Sequence, residues 1–136
     1  MNYFENVGIF SSMSLIDKTN LSDFCQLQNL KAGEVLFYEW DEPQAIYLIL
    51  SGKLQVQKLT QGINKDVAIL DAGNLVGEMA FFDIPPYRSA TVTAVEDTQL
   101  VVMLQFSIQQ MLEKYPDLYK KVSNIIQERR LQNKSL

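Results

Sequence analysis

From Gly33 to Met103 the chain is a succession of short β-branched and aromatic runs, each cut off by turn residues: Ala45 to Leu50, Lys53 to Leu59, Val67 to Leu70, Ser89 to Val95 and Gln99 to Leu104. Such side chains pack well on a pleated surface, so each run reads as a strand. Many short strands at even spacing predict a sandwich or a barrel. Gly52, after Ser51, predicts a turn that closes a hairpin, and Gly62-Ile63-Asn64-Lys65 a more mobile surface turn. Helical spacing brackets this region. Val7 to about Leu30 reads as short helices, with Asn20 as a capping residue and Leu21, Phe24, Cys25 and Leu27 recurring on one side. Beyond Met103 a helix begins at Phe106-Ser107 and breaks at Tyr115-Pro116. A second then runs from about Asp117 toward Asn133, with Pro116 near its first turn. The predicted class is α+β.

With 136 residues, 47% of them hydrophobic, the chain forms one domain that buries its own core. The sequence has no run of about 18 apolar residues, and its start lacks the basic and apolar regions of a signal peptide. The expected location is the cytoplasm. Cys25 is alone, so no internal disulfide forms, and it reads as a small core residue. A formal charge of −4 offers no basic field for nucleic-acid phosphates, so no direct DNA contact is expected. Histidine is absent. That excludes His-ligated metal enzymes and nucleophiles activated by histidine, and no catalytic residue or metal site is assigned.

The most chemically specific stretch is Gly77-Glu78-Met79-Ala80-Phe81-Phe82-Asp83-Ile84-Pro85-Pro86-Tyr87-Arg88-Ser89-Ala90. Gly77 permits close backbone approach to a ligand, since a Cβ would take space needed by a phosphate or ribose. Successive backbone N–H groups, Met79 and Ala80 among them, attract an anion at a helix start. Glu78 can accept from a ribose hydroxyl. Arg88 adds a charge-assisted fork, and it is the only Lys or Arg between Asp66 and Leu112, so it reads as the single nearby counterion. Ser89 can bond the same phosphate, and Ala90 keeps the strand small beside it. These parts fit a nucleotide monophosphate better than a triphosphate.

This loop resembles the phosphate-binding cassette of cyclic-nucleotide-binding domains, the family of catabolite activator proteins and cyclic-AMP-dependent kinase regulatory subunits. Lys31-Ala32-Gly33-Glu34-Val35-Leu36-Phe37 resembles that family's first core strand, Ile46 to Val56 its central hairpin, and Asp71-Ala72-Gly73 its lead into the cassette. The resemblance implies a double-stranded β-helix, or jelly roll, in a single domain. A helical lead-in would span 1–30, the β-roll 31–105 with the cassette at 77–90, and the closing helices 106–136. It also implies that Gly77, Glu78, Met79, Ala80, Arg88, Ser89 and Ala90 hold the ligand. Val56, Val67 and Ala68 would wall the base, each equally an ordinary core residue, and Asn133 would bridge to the base amine from a helix end that otherwise frays.

Leu118, Val122, Ile125 and Ile126 stripe the last helix, for packing on the roll or on a second subunit. Arg129-Arg130 after them reads as a solvated helix end. Two departures from the family stand out. Trp40 occupies a usual glycine position, so the turn must take another shape or the ring must pack. Pro85-Pro86 stiffens the cassette toward a preformed loop. The resulting expectation is a stand-alone sensor that binds a cyclic nucleotide, cyclic AMP ahead of cyclic GMP. Its last helix would relay binding to a protein partner or to self-association. The alternative is an interaction or dimerisation module that kept the fold without the ligand.

Overall fold

The structure, a computed structural model, describes residues 2–78 and 86–134, the last three of these by backbone alone. Among them eight strands form two antiparallel four-stranded sheets in a jelly-roll β-barrel, with a short 3₁₀ turn at Gly8–Phe10. The strands are β1 (Gln26–Leu30), β2 (Val35–Phe37), β3 (Ala45–Ser51), β4 (Lys53–Thr60), β5 (Ile63–Asp71), β6 (Leu75–Val76), β7 (Thr91–Ala94) and β8 (Thr98–Leu104). The helices are α1 (Leu15–Asp23), α2 (Gln105–Lys114) and α3 (Pro116–Lys134). One sheet runs β1-β8-β3-β6 and the other β2-β7-β4-β5. No described helix is long and apolar enough to cross a membrane.

The continuous apolar run in β3 follows from its place in a middle layer. Ile46 and Leu48 face the helices, where they join Phe4, Phe10, Met103, Leu118, Val122 and Ile126 in one core. Ile49, alternating with them, faces the other sheet and packs with Leu54, Val92 and Leu100 in a second core. Of the α3 stripe, Leu118, Val122 and Ile126 are therefore spent within the chain, and Ile125 is half-buried.

Three local expectations are corrected. Gln26–Leu30 is a strand paired with β8, not the end of a helix: Phe24 and Leu27 are exposed, so the apparent helical spacing ends with α1. The cap of α1 is Ser14, whose hydroxyl accepts from Asp17 N at 3.1 Å, not Asn20. Gly52 closes no hairpin, because β3 and β4 belong to different sheets. It is the corner between them, where a Cβ would lie 2.3 Å from Thr98 Oγ1 and 2.6 Å from the Asp97 carbonyl oxygen. The hairpin proper is β4–β5, turned by Gln61 and Gly62 with φ of 52° and 79°. That pair of positive φ values matches the twist of the flanking strands and lets β5 begin at Ile63.

Pro116 opens α3 as the first helical residue, where its missing N–H costs nothing. The helix junction is tied back to the N-terminus: the Tyr115 hydroxyl donates to the Asp17 carboxylate, and Lys114 Nζ lies 2.9 Å from the same group. Cys25 is half-buried, its Sγ 3.1 Å from the Leu21 carbonyl, and burial pushes the thiol up to about 12.

Candidate functional site

A cleft opens between the inner face of the β2-β7-β4-β5 sheet and the far end of α3. Its walls border about 590 Å³ of empty space counted out to the mouth, open solvent included. One wall is apolar, built from Val56, Val67, Ala68, Leu70 and Val92. The other is polar, with Gly77, Glu78, Arg88, Ser89 and Arg129.

The polar wall is assembled from three distant stretches. Gly77 follows β6 with φ of 83°, a conformation that favours glycine, and its carbonyl oxygen accepts from Arg88 Nη1 at 2.8 Å. A Cβ at this position would lie 2.3 Å from that same Nη1. Gly77 therefore makes room for Arg88 itself, a requirement not foreseen from the sequence. Arg88 Nη2 donates to the Ala45 carbonyl at 2.8 Å, and the guanidinium lies 4.1 Å from the centre of the Phe37 ring. Only 3% of the residue is exposed. Burial pulls the guanidinium below its ordinary range, but an arginine stays cationic there.

Glu78 is 1% exposed. Its Oε1 accepts from Arg129 Nη1, which also donates to the Leu75 carbonyl at 2.7 Å. Burial holds the Glu78 carboxyl above the usual carboxylate range, although Arg129 pulls it down. Oε2 is buried and has no hydrogen-bond partner among the described residues. A buried oxygen in that state costs free energy until a donor arrives. Glu78 lines the cleft together with Arg88 and Arg129, a set whose chemistry suits a hydroxyl beside an anion.

Of the expected ligand residues, Gly77, Glu78, Arg88, Ser89 and Ala90 line this cleft, and so do Val56, Val67 and Ala68. Met79, Ala80 and Pro85 lie outside the described residues, as does the side chain of Asn133. Arg129 is the residue that sequence reasoning missed. Arg88 is not the single nearby counterion, and Arg129 is no solvated helix end. The signal was present: Leu118, Val122 and Ile126 recur at four-residue spacing, and three residues further the same face of α3 reaches Arg129. Trp40 also departs from expectation, since it does adopt a positive φ, 76°, and its ring is 71% exposed.

The profile of the cyclic nucleotide-binding domain matches residues 27–115, and the chain belongs to that family. It is 35% identical over 85 residues to the cyclic AMP receptor protein of Thermus thermophilus, covering 62% of this chain and 39% of that protein. It is 33% identical over 101 residues to lysophospholipase NTE1 of Chaetomium globosum, covering 74% of this chain but 7% of that protein. The chain thus spans well under half the length of these relatives. The crystal structure of the Thermus thermophilus catabolite activator protein superposes with a TM-score of 0.78 at 26% identity, over 93% of this chain and 59% of that one.

Proposed function

We propose that this chain is a cytoplasmic sensor that binds a cyclic nucleotide, cyclic AMP ahead of cyclic GMP, and signals through α3. The observation that carries the reading is Glu78, in a cleft also lined by Arg88 and Arg129: one oxygen is committed to the last helix and the other is buried with no hydrogen-bond partner among the described residues. A ribose hydroxyl donating to Oε2 would satisfy that oxygen while Oε1 keeps Arg129. Sugar binding and docking of α3 would then share one carboxylate.

Charge supports a cyclic phosphate. Among the described residues the charged groups lining the cleft are Arg88, Arg129 and Glu78, two positive and one negative, leaving one net positive charge. A cyclic phosphodiester carries a single negative charge, whereas a 5′-monophosphate carries about two near neutral pH. Arg88 and the Ser89 hydroxyl would take the phosphate, and Val56, Val67 and Ala68 the base. Arg88-Ser89-Ala90 resembles the activator-type triplet, which favours cyclic AMP, as does the similarity to a protein named as a cyclic AMP receptor.

The ligand would act on α3 only through a difference in affinity between the docked and undocked helix. Glu78 supplies that difference, because a bound ribose raises the benefit of keeping the carboxylate ionised and Arg129 docked. The output would be a protein partner or a second copy of the chain, presented with the altered position of α3. No catalytic role is assigned. Thermal unfolding with and without cyclic AMP, beside sedimentation of the same samples, tests the reading. A ligand-dependent rise in Tm supports the sensor; an unchanged Tm together with tight oligomers in the absence of nucleotide would leave a ligand-free interaction module.

A further inference from the structure

The turn Tyr38-Glu39-Trp40-Asp41-Glu42 holds an indole on the surface in a conformation that tryptophan adopts only against strain. Trp40 has φ of 76° and is 71% exposed, so burial of the ring does not offset the backbone cost. Hydrogen bonds hold the turn instead. Trp40 N donates to the Arg88 carbonyl and Arg88 N to the Asp41 carbonyl, both at 2.8 Å. Tyr38 N donates to Asp41 Oδ2 at 3.0 Å, and Glu39 N to Thr91 Oγ1 at 2.9 Å. Leu59 N donates to Glu39 Oε1 at 2.9 Å, which ties the turn to β4.

A strained, pinned and exposed tryptophan is a poor packing residue and a good anchor, because little conformational entropy remains to be lost on contact. It has company. Tyr38 is 59% exposed, and Tyr87, the residue before Arg88 on the adjoining segment, is 41% exposed. Trp and Tyr are the residues most enriched at the energetic centres of protein interfaces. Glu39, Asp41 and Glu42 place three carboxylates within the same five residues, and no Lys or Arg occurs from Ala32 to Gly52. The surface is thus aromatic and anionic, complementary to a cation that can both stack on a ring and pair with a carboxylate.

We propose that the Tyr38–Glu42 turn, with Tyr87, is a docking surface for a basic, arginine-containing segment of a partner protein. This draws on nothing in the nucleotide cleft, so it stands or falls separately from the sensor reading. Trp40 is the only tryptophan in the chain, which makes its intrinsic fluorescence a direct probe of the surface. The full chain, without nucleotide, would be titrated at physiological ionic strength with nonapeptides of alternating arginine and leucine. Glutamate–leucine and serine–leucine peptides serve as controls. Saturable change of the Trp40 emission with the arginine peptide alone is expected. By calorimetry, Trp40→Gly and Glu42→Lys should each weaken that binding at least tenfold. Glycine accepts the positive φ, so Trp40→Gly should unfold at the same or a higher temperature than the parent. Equal response to all three peptides, unchanged binding by either variant, or a lower unfolding temperature for Trp40→Gly would overturn the proposal. So would an emission change that follows protein concentration alone, which would make the occupant a second copy.

Discussion

Replacing Arg129 with methionine keeps much of the side chain's length and apolar stem while deleting the charge. The variant loses the pair to Glu78 and the 2.7 Å bond to the Leu75 carbonyl. Removing one member of a buried ion pair costs about 3 to 5 kcal/mol when the other charge is stranded. Glu78 has an escape, because it can take up a proton. At pH 7, neutralising an ordinary glutamate costs about 3 to 4 kcal/mol, which caps that part of the loss. Burial already holds the Glu78 carboxyl above its ordinary range, so part of the cap is used in the parent chain and the variant should lose less than that cap. The sign with pH follows. Losing Arg129 raises the native value of Glu78 further, so the difference between variant and parent is fully present at high pH and vanishes as pH falls below the parent's native value. Near pH 5 the carboxylate part of the loss should shrink to about 1 kcal/mol or less. Urea unfolding of both proteins at pH 7 and pH 5 measures this directly, and Glu78→Gln combined with Arg129→Met should lose less than the sum of the single changes. A variant as stable as the parent at pH 7, or a loss that is the same at both pH values, would refute the buried pair.

Arg88→Lys keeps the charge but not the fork that spans Gly77, Ala45 and the Phe37 ring; cyclic AMP affinity should fall about ten- to hundredfold by calorimetry, as expected for losing a charge-assisted bond of about 1.5 to 3 kcal/mol. Gly77→Ala meets both a φ of 83° and the Arg88 guanidinium, so denaturant unfolding should show a loss of about 2 to 4 kcal/mol. Asp17 is held below the usual carboxylate range, first by the Tyr115 hydroxyl and then by Lys114. Its contribution is present above the ordinary carboxylate range and disappears as pH falls through the native value, so Asp17→Asn should flatten the acid limb of the stability profile, and a limb of unchanged slope would contradict the assignment.

What was legible in the sequence was whatever depended on neighbours along the chain. Most of the strand runs and the break at Pro116 carry their information within a few residues, so their residues point to the element directly. The failures have a common cause in contacts between distant segments. β1 looked helical because Leu21, Phe24, Cys25 and Leu27 have helical spacing, but pairing with β8 decides its state. Gly52 looked like a hairpin glycine because strands adjacent in sequence usually pair, yet here the chain changes sheets at that corner. Arg129 lies 51 residues from Glu78, and no local rule links a cation at a helix end to a carboxylate in a loop. Extending the apolar stripe of α3 by one turn would have aimed it at the roll. Trp40 misled for a different reason: its positive φ is held by hydrogen bonds to Arg88 and a neighbouring carboxylate, which the turn's own residues do not advertise.

The most direct test of the sensor is isothermal titration of the purified chain with cyclic AMP, with cyclic GMP and 5′-AMP as controls. Saturable binding at one site per chain, tighter for cyclic AMP than for cyclic GMP and weakest for 5′-AMP, is the predicted result. No binding heat with any of the three, with no change in the unfolding temperature, would contradict the account.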